Sequence, residues 1–208
     1  MTGGRLSAMT GAKAASMVRA EQGPRTKTRR QGTAQVSRSE SKSAAQVSVM
    51  DRIAARLSRY ARPAKGFVSQ PEPRTIGSVV RGRQLVAGNF LFAGFLIEGP
   101  GLSIWDLPDP DPRFARELQG FRWLDDLAAV GDAAARERAQ GWAFDWIRRF
   151  NGGSGPGWQP DLAGRRLIRW VNHAIFLLNG RDRESAAAFF QSLGQQTGFV
   201  ARRWKKAA

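Results

Sequence analysis

Arg169, Asn172 and His173 are the residues whose types and spacing best fit a functional site. They occupy positions i, i+3 and i+4 of the stretch GRRLIRWVNHAIFLL, so a helix would carry all three along one side. Arginine, asparagine and histidine can donate hydrogen bonds to a negatively charged group, and histidine can also accept a proton. We therefore predict that these side chains point together into the cavity or partner that this side of the helix faces.

A purely structural interpretation of the same residues stays open. In it, Arg169 and Asn172 bond to helix ends and loops, and His173 is an interior residue with a hydrogen-bond partner nearby, as buried polar groups usually are. Trp158 and Trp170 also have two interpretations. Their rings could stack on sugars or pack in the core, and packing is favoured.

Other kinds of catalytic site have little support in the sequence. The loop NGGSGPG at 151–157 is rich in glycine, but it lacks the Lys-Ser/Thr ending of a phosphate-binding loop and follows a predicted helix. With one histidine and no cysteine, the chain offers no zinc-ligand cluster, and no serine is placed for a nucleophilic triad. We predict no catalytic residue, metal or cofactor.

The stretch 158–179 should form the helix that carries the candidate residues. Pro160 and Asp161 fit its start, and Gly180 fits its end. Its apolar residues recur on one face at helical spacing and also occupy the other sides: Leu167, Ile168, Trp170, Val171, Ala174, Ile175, Phe176, Leu177 and Leu178. A helix that is apolar all round is buried, so we expect neighbouring elements to enclose this one.

Three further helices with apolar stripes are predicted at about 112–130, at 132–150, and from 182 towards the carboxyl end. A short basic amphipathic helix should begin at Met50 and end at Pro63, and strands are predicted at 84–86 and 90–97. Short connections favour antiparallel helical hairpins. These hairpins could close as a small bundle or form the first arc of an α/α toroid.

Three segments differ in composition. Residues 1–49 hold no aromatic residue and carry nine Lys and Arg against two Glu, so we predict a disordered basic extension. It is either an upstream extension of the reading frame, with Met50 as the start, or a tail that binds anionic surfaces. Residues 50–108 should hold the short helix, the linker QPEPRT and the β-hairpin, and 109–208 a partial helical domain.

The formal net charge is +16, which by itself suggests a polyanionic partner such as nucleic acid or an acidic polysaccharide. No zinc knuckle, RNA-binding strand signature or clear helix-turn-helix is present, so nucleic acid is the less favoured partner. We see no membrane-spanning apolar run and no secretory signal, and predict a cytoplasmic location by default.

Several motifs resemble the amino-terminal region of bacterial heparinase II/III family proteins. They are WDLP at 105–108, FRWLDDLAAVGDAAAR at 121–136, GPGW at 155–158 and GRRLIRWVNHAIFLL at 164–178, and the resemblance extends from about Gly66 to the end. It implies an α/α toroid followed by a β-sandwich in the whole protein. The implied activity is that of a lyase, which cleaves uronic-acid-containing polysaccharides such as glycosaminoglycans by β-elimination.

On this resemblance the chain is a truncated lyase, inactive alone, whose helices are the first arc of the toroid. Arg169, Asn172 and His173 would then line the inner wall and contact an acidic polysaccharide, while the family's catalytic residues would lie beyond this chain. The family also allows a location in the periplasm. The alternative function is a non-enzymatic basic module that binds nucleic acid or another polyanion.

Overall fold

A computed structural model describes residues 47–69 and 75–206. The predicted disorder of residues 1–46 and most of the predicted QPEPRT linker lie outside the described residues. Within those ranges the chain forms eight α-helices, two short 3-10 helices and one β-hairpin. The helices are α1 Val49–Ser58, α2 Val79–Ala87, α3 Pro112–Gln119, α4 Arg122–Val130, α5 Ala133–Phe150, α6 Pro160–Asn172, α7 Ala174–Leu178 and α8 Arg183–Arg203.

The prediction of a mainly helical chain with a small antiparallel β-hairpin is confirmed. The hairpin joins β1 Asn89–Phe92 to β2 Phe95–Glu98, and its register pairs Phe92 with Phe95. Residues 84–86, predicted as a strand, instead belong to α2. The side chain of Ser78 caps that helix, and Gly88 ends it with a left-handed backbone.

The helix predicted at 112–130 is broken in two at Phe121. This residue has a φ of 61°, a left-handed conformation that costs a residue other than glycine about 1–2 kcal/mol. Its ring is fully buried and lies 4.6 Å from the Trp123 ring and 5.6 Å from the Trp170 ring. Aromatic packing therefore holds the turn, which redirects the chain between α3 and α4.

The helix predicted at 158–179 is also interrupted. It ends at Asn172, and His173 (φ −109°, ψ 22°) separates it from the short α7. The expectation that neighbours enclose it on all sides is wrong, because Ile168 and Ile175 are 63% and 66% exposed. Its buried side includes Leu162, Arg166 and Trp170.

The core lies between α4, α5, α6 and α8, with β1 and α3 packed at one side. Its centre is a set of fully buried rings contributed by several elements: Phe90, Phe114, Phe121, Trp123, Trp146, Trp158, Trp170, Phe189 and Phe199. The rings contact one another edge to face or tilted, arrangements that aromatic quadrupoles favour.

Helix α1 packs on the carboxyl-terminal half of α8. Ala54, Ala55 and Ser58 face the protein, and the Arg203 guanidinium pairs with the Asp51 carboxylate at 2.7 Å. A helix was predicted from Met50 to Pro63, and the structure has one that ends at Ser58. Its large apolar side chains are turned outward: Val49, Met50, Ile53 and Leu57 are all exposed. Within the described ranges, no helix combines the length and the apolar character needed to cross a bilayer.

Substitution by alanine should have opposite effects on stability at two glycines that lie in helices. A Cβ at Gly82 of α2 would overlap the Asp126 carbonyl oxygen and lie 2.5 Å from the Val130 side chain, whereas a Cβ at Gly141 of α5 would meet nothing within 4 Å. We expect Gly82→Ala to lower the free energy of unfolding by about 1–3 kcal/mol. Gly141→Ala should raise it by about 0.5–1 kcal/mol.

Urea unfolding followed by far-ultraviolet circular dichroism measures both changes. An increase in stability for Gly82→Ala would contradict the close approach of α2 to α4.

Candidate functional site: an arginine cleft

An open cleft of about 890 Å³ lies where α3, α4 and α6 meet the amino-terminal end of α2. Among the residues that the structure describes, six arginines line it, and we call it the arginine cleft. Its lining consists of Thr75, Ile76, Gly77, Ser78, Arg81, Arg113, Arg116, Glu117, Gly120, Arg122, Asp125, Asp126, Leu162, Arg165 and Arg169. Cavities of this size hold small molecules or short peptide segments in other proteins.

The local sequence explains how these helices start where they do. Asp111 caps α3 by accepting a hydrogen bond from the Arg113 backbone N–H at 2.7 Å, and Pro112 occupies the first turn. Pro160 likewise begins α6. The turn at Phe121 then brings the first residue of α4, Arg122, to the cleft.

Three of the six arginines have carboxylate partners. Arg113 pairs with Asp111 at 3.1 Å, and Arg116 pairs with Asp161 at 2.5 Å. Arg169 donates to Asp125 at 2.8 Å and to the Gly120 carbonyl at 2.9 Å, so it is held against the wall.

The other three arginines of the cleft are Arg81, Arg122 and Arg165. All three are exposed, and none forms an ion pair with any residue in the described part of the chain. Such guanidinium groups can donate two parallel hydrogen bonds to a carboxylate or phosphate, in bidentate geometry. The cleft thus offers three guanidinium groups that have no ion-pair partner among the described residues.

Two adjacent aspartates form the floor of the cleft and differ in their partners. Asp125 accepts from Arg169 and lies 2.9 Å from His173 Nε2. Burial alone would raise its pKa, but the hydrogen bonds of His173 and Arg169 outweigh this and hold the pKa of Asp125 below its ordinary value.

Within the described part of the chain, Asp126 accepts one hydrogen bond, from the Ser78 backbone N–H at 2.7 Å. Burial raises the pKa of its carboxyl above the ordinary value, and neither that bond nor the nearby charges of Arg81 and Arg122 offset this. The cleft wall therefore combines fixed cations with one carboxyl group that takes up a proton more readily than usual.

The three side chains predicted to form a site have different surroundings. Arg169 lines the cleft. His173 is buried, and its contact with Asp125 supports the structural interpretation of this residue. Asn172 is partly exposed at the last position of α6 and does not belong to the cleft lining. Within the described ranges, no group of three or more His, Cys, Asp or Glu is placed to hold a metal ion.

A stretch of this chain has a counterpart in a bacterial protein. The chain is similar to part of FtsZ-localized protein C of Caulobacter vibrioides (strain NA1000 / CB15N). The two share 34% identical residues over 105 residues, which is 50% of this chain and 18% of the relative. The matched region thus spans about a fifth of the relative's own length. No protein-family model matches the chain, and no solved structure matches it.

These comparisons overturn the resemblance to heparinase II/III proteins. No heparinase family model matches the chain, and the matched relative carries the name of an FtsZ-localized protein. The predicted function of a truncated polysaccharide lyase is therefore wrong, including its glycosaminoglycan substrates. The alternative of a nucleic-acid-binding module has no support from the comparisons either. An apolar pattern at helical spacing, as in GRRLIRWVNHAIFLL, occurs in helices of many unrelated families, so it does not identify one family.

Sequence reasoning missed the other five arginines of the cleft. They come from α2, α3, α4 and α6, and only the tertiary fold brings them together. One signal was available: Arg165 and Arg169 are four residues apart and therefore share a side of their helix.

Proposed function

We propose that this chain is a protein-docking module of the bacterial division machinery organised around FtsZ. The observation that carries the proposal is the 34% identity over 105 residues with FtsZ-localized protein C. The arginine cleft supports it by supplying an exposed surface at which a partner could bind. A cytoplasmic location is part of the proposal.

Two finer predictions belong with this proposal. Arg169 is proposed to contribute to partner binding from the cleft wall, with Asn172 beside it and His173 acting through Asp125. The arrangement of the helices as an arc of an α/α toroid also stays a prediction. It draws support from the packing of helices that are near each other in the sequence, α4 on α5 and α6 on α8.

The function is tested in cells and with purified protein. A tagged copy of the chain should concentrate at FtsZ rings and disperse when FtsZ is depleted. Purified chain should pellet with polymers of Caulobacter vibrioides FtsZ, and less of it should pellet as salt is raised. An even distribution in cells that contain rings, together with no pelleting, would rule the function out.

A further inference from the structure

The arginine cleft has a lining that distinguishes between classes of ligand. We propose that it binds an extended, acidic segment of a partner polypeptide. This rests on the proposed docking function, and it adds the chemistry of the segment and the residues that hold it.

The charge of the cleft favours an acidic ligand. Arg81, Arg122 and Arg165 project from three different helices and have no ion-pair partner among the described residues. Each can bind a carboxylate through a bidentate pair of hydrogen bonds. Arg113 and Arg116 lie on the same lining, but Asp111 and Asp161 already occupy them.

Carboxylates on the wall disfavour a compact, highly charged ligand such as a phosphate. Glu117 and Asp126 both belong to the lining, and they would repel a dense anion placed between the arginines. The same groups can accept hydrogen bonds from the backbone N–H groups of a peptide. Ile76 and Leu162 add apolar surface. A polypeptide supplies carboxylates, N–H donors and apolar side chains together.

A second groove, of about 270 Å³, extends the cleft. It shares Arg116 and Leu162 with the cleft, and three prolines line it: Pro110, Pro112 and Pro156. Asp109 and Asp111 also face this groove, so an acidic residue is disfavoured there. The matching ligand is an extended segment whose acidic residues lie over the arginines and whose apolar residues lie over the prolines.

Titration calorimetry on the full chain tests this. The probe is a synthetic peptide in which Glu alternates with Ala and is followed by Leu and Pro, compared with the same peptide carrying Gln for Glu, and with pyrophosphate. We expect binding of the Glu peptide alone. The double variant Arg122→Ala, Arg165→Ala should weaken it on the order of tenfold, since two charge-assisted contacts are lost.

The matched control is Arg83→Ala with Arg183→Ala. Both arginines are exposed and lie outside the cleft, so the same loss of charge should change the affinity by less than about twofold. Equal weakening by both double variants would overturn the proposal in favour of non-specific attraction. Equal binding of the Glu and Gln peptides would also overturn it, as would pyrophosphate displacing the Glu peptide from the cleft.

The outcome separates this inference from the proposed function. One outcome is that the double variant Arg122→Ala, Arg165→Ala pellets with FtsZ as well as the parent chain does, while no peptide binds to the cleft. That result would refute the proposed ligand of the cleft and leave the division role unaffected. Peptide binding at the cleft without any association with FtsZ would support the proposed ligand of the cleft and refute the division role. Circular dichroism of each variant checks that it is folded.

Discussion

Arg166→Ala should lower the free energy of unfolding by about 3–5 kcal/mol, because it removes the one charged side chain at the centre of the described core. Arg166 is fully buried, and its guanidinium lies 3.9 Å from the centre of the Trp146 ring. Its Nε donates to the Gln196 side chain at 2.6 Å, and its Nη1 donates to the carbonyls of Gln119 and Gly157.

The large effect follows from what the substitution leaves behind. No carboxylate pairs with Arg166 in the described residues, so its bonds are to neutral acceptors, and each acceptor would stay buried without a donor. Burial lowers the pKa of Arg166 to about 9. Because this value is still above 7, the group stays charged at pH 7. The cation is therefore balanced by carbonyl dipoles and by the face of Trp146.

The neighbouring residue provides a control for this prediction. Arg165 is exposed and belongs to the cleft, so Arg165→Ala should change stability by no more than about 0.5 kcal/mol. Arg166→Lys tests the role of geometry, because a lysine keeps the charge but cannot stack or bond in the same fork. Urea midpoints measured by circular dichroism compare the three, and equal stability of Arg166→Ala and Arg165→Ala would refute the assignment.

The second large effect concerns the floor of the cleft. Asp125→Asn should lower the free energy of unfolding by about 2–4 kcal/mol at pH 7. It leaves the Arg169 guanidinium without its counter-charge, although the Arg169 side chain is only 17% exposed, and it weakens the contact to His173. Asp126→Asn should change stability by less than about 1 kcal/mol. An asparagine oxygen can still accept from the Ser78 N–H, so this bond survives.

The two aspartates should also differ in the sign of their pH dependence. The pKa of Asp125 is lowered in the fold, so its contribution to stability is present above the unfolded value of 3.8 and is lost as the pH falls through the folded pKa. The pKa of Asp126 is raised, so its ionisation costs stability as the pH rises from 3.8 through the folded pKa.

Unfolding measured across the acid range tests these signs. Asp126→Asn should gain stability relative to the parent chain as the pH rises from about 4 towards neutral. Asp125→Asn should lose stability relative to the parent in a lower range, as the pH rises through the folded pKa of Asp125 to about 4, and should change little relative to the parent above that. The same direction of change for both variants would contradict the assignment of their partners.

Local signals in the sequence were sufficient to predict much of the fold. Asp132 and Asp182 each cap a helix by accepting a backbone N–H three residues on, at 2.7 Å, and these helix starts were predicted correctly. The breaks at Phe121 and His173 were not. Gly120 stands just before the first break, but a single glycine is tolerated within a helical pattern, and no glycine or proline marks the second break. Ring packing around Phe121 decides the first break, and such contacts depend on residues distant in the sequence.

The candidate site was less accessible to prediction. Arg169 was singled out for its neighbours on the helix, and it does line the cleft. Arg81 and Arg122 are 41 residues apart in the sequence, and only the packing of α2 against α4 brings them to one wall. For His173 the sequence left open a ligand contact or a structural role, and the partner of its ring, Asp125, lies 48 residues away in the sequence.

The distribution of indole side chains determines how the molecule can be observed. Five of the seven tryptophans are buried in the core, Trp105 is half-buried, and Trp204 is 62% exposed near the end of the described chain. None of them lines the arginine cleft. Intrinsic indole emission will therefore respond strongly to unfolding of the core and change little when the cleft is filled, so occupancy has to be measured by another signal, such as the heat of binding or a reporter attached beside the cleft.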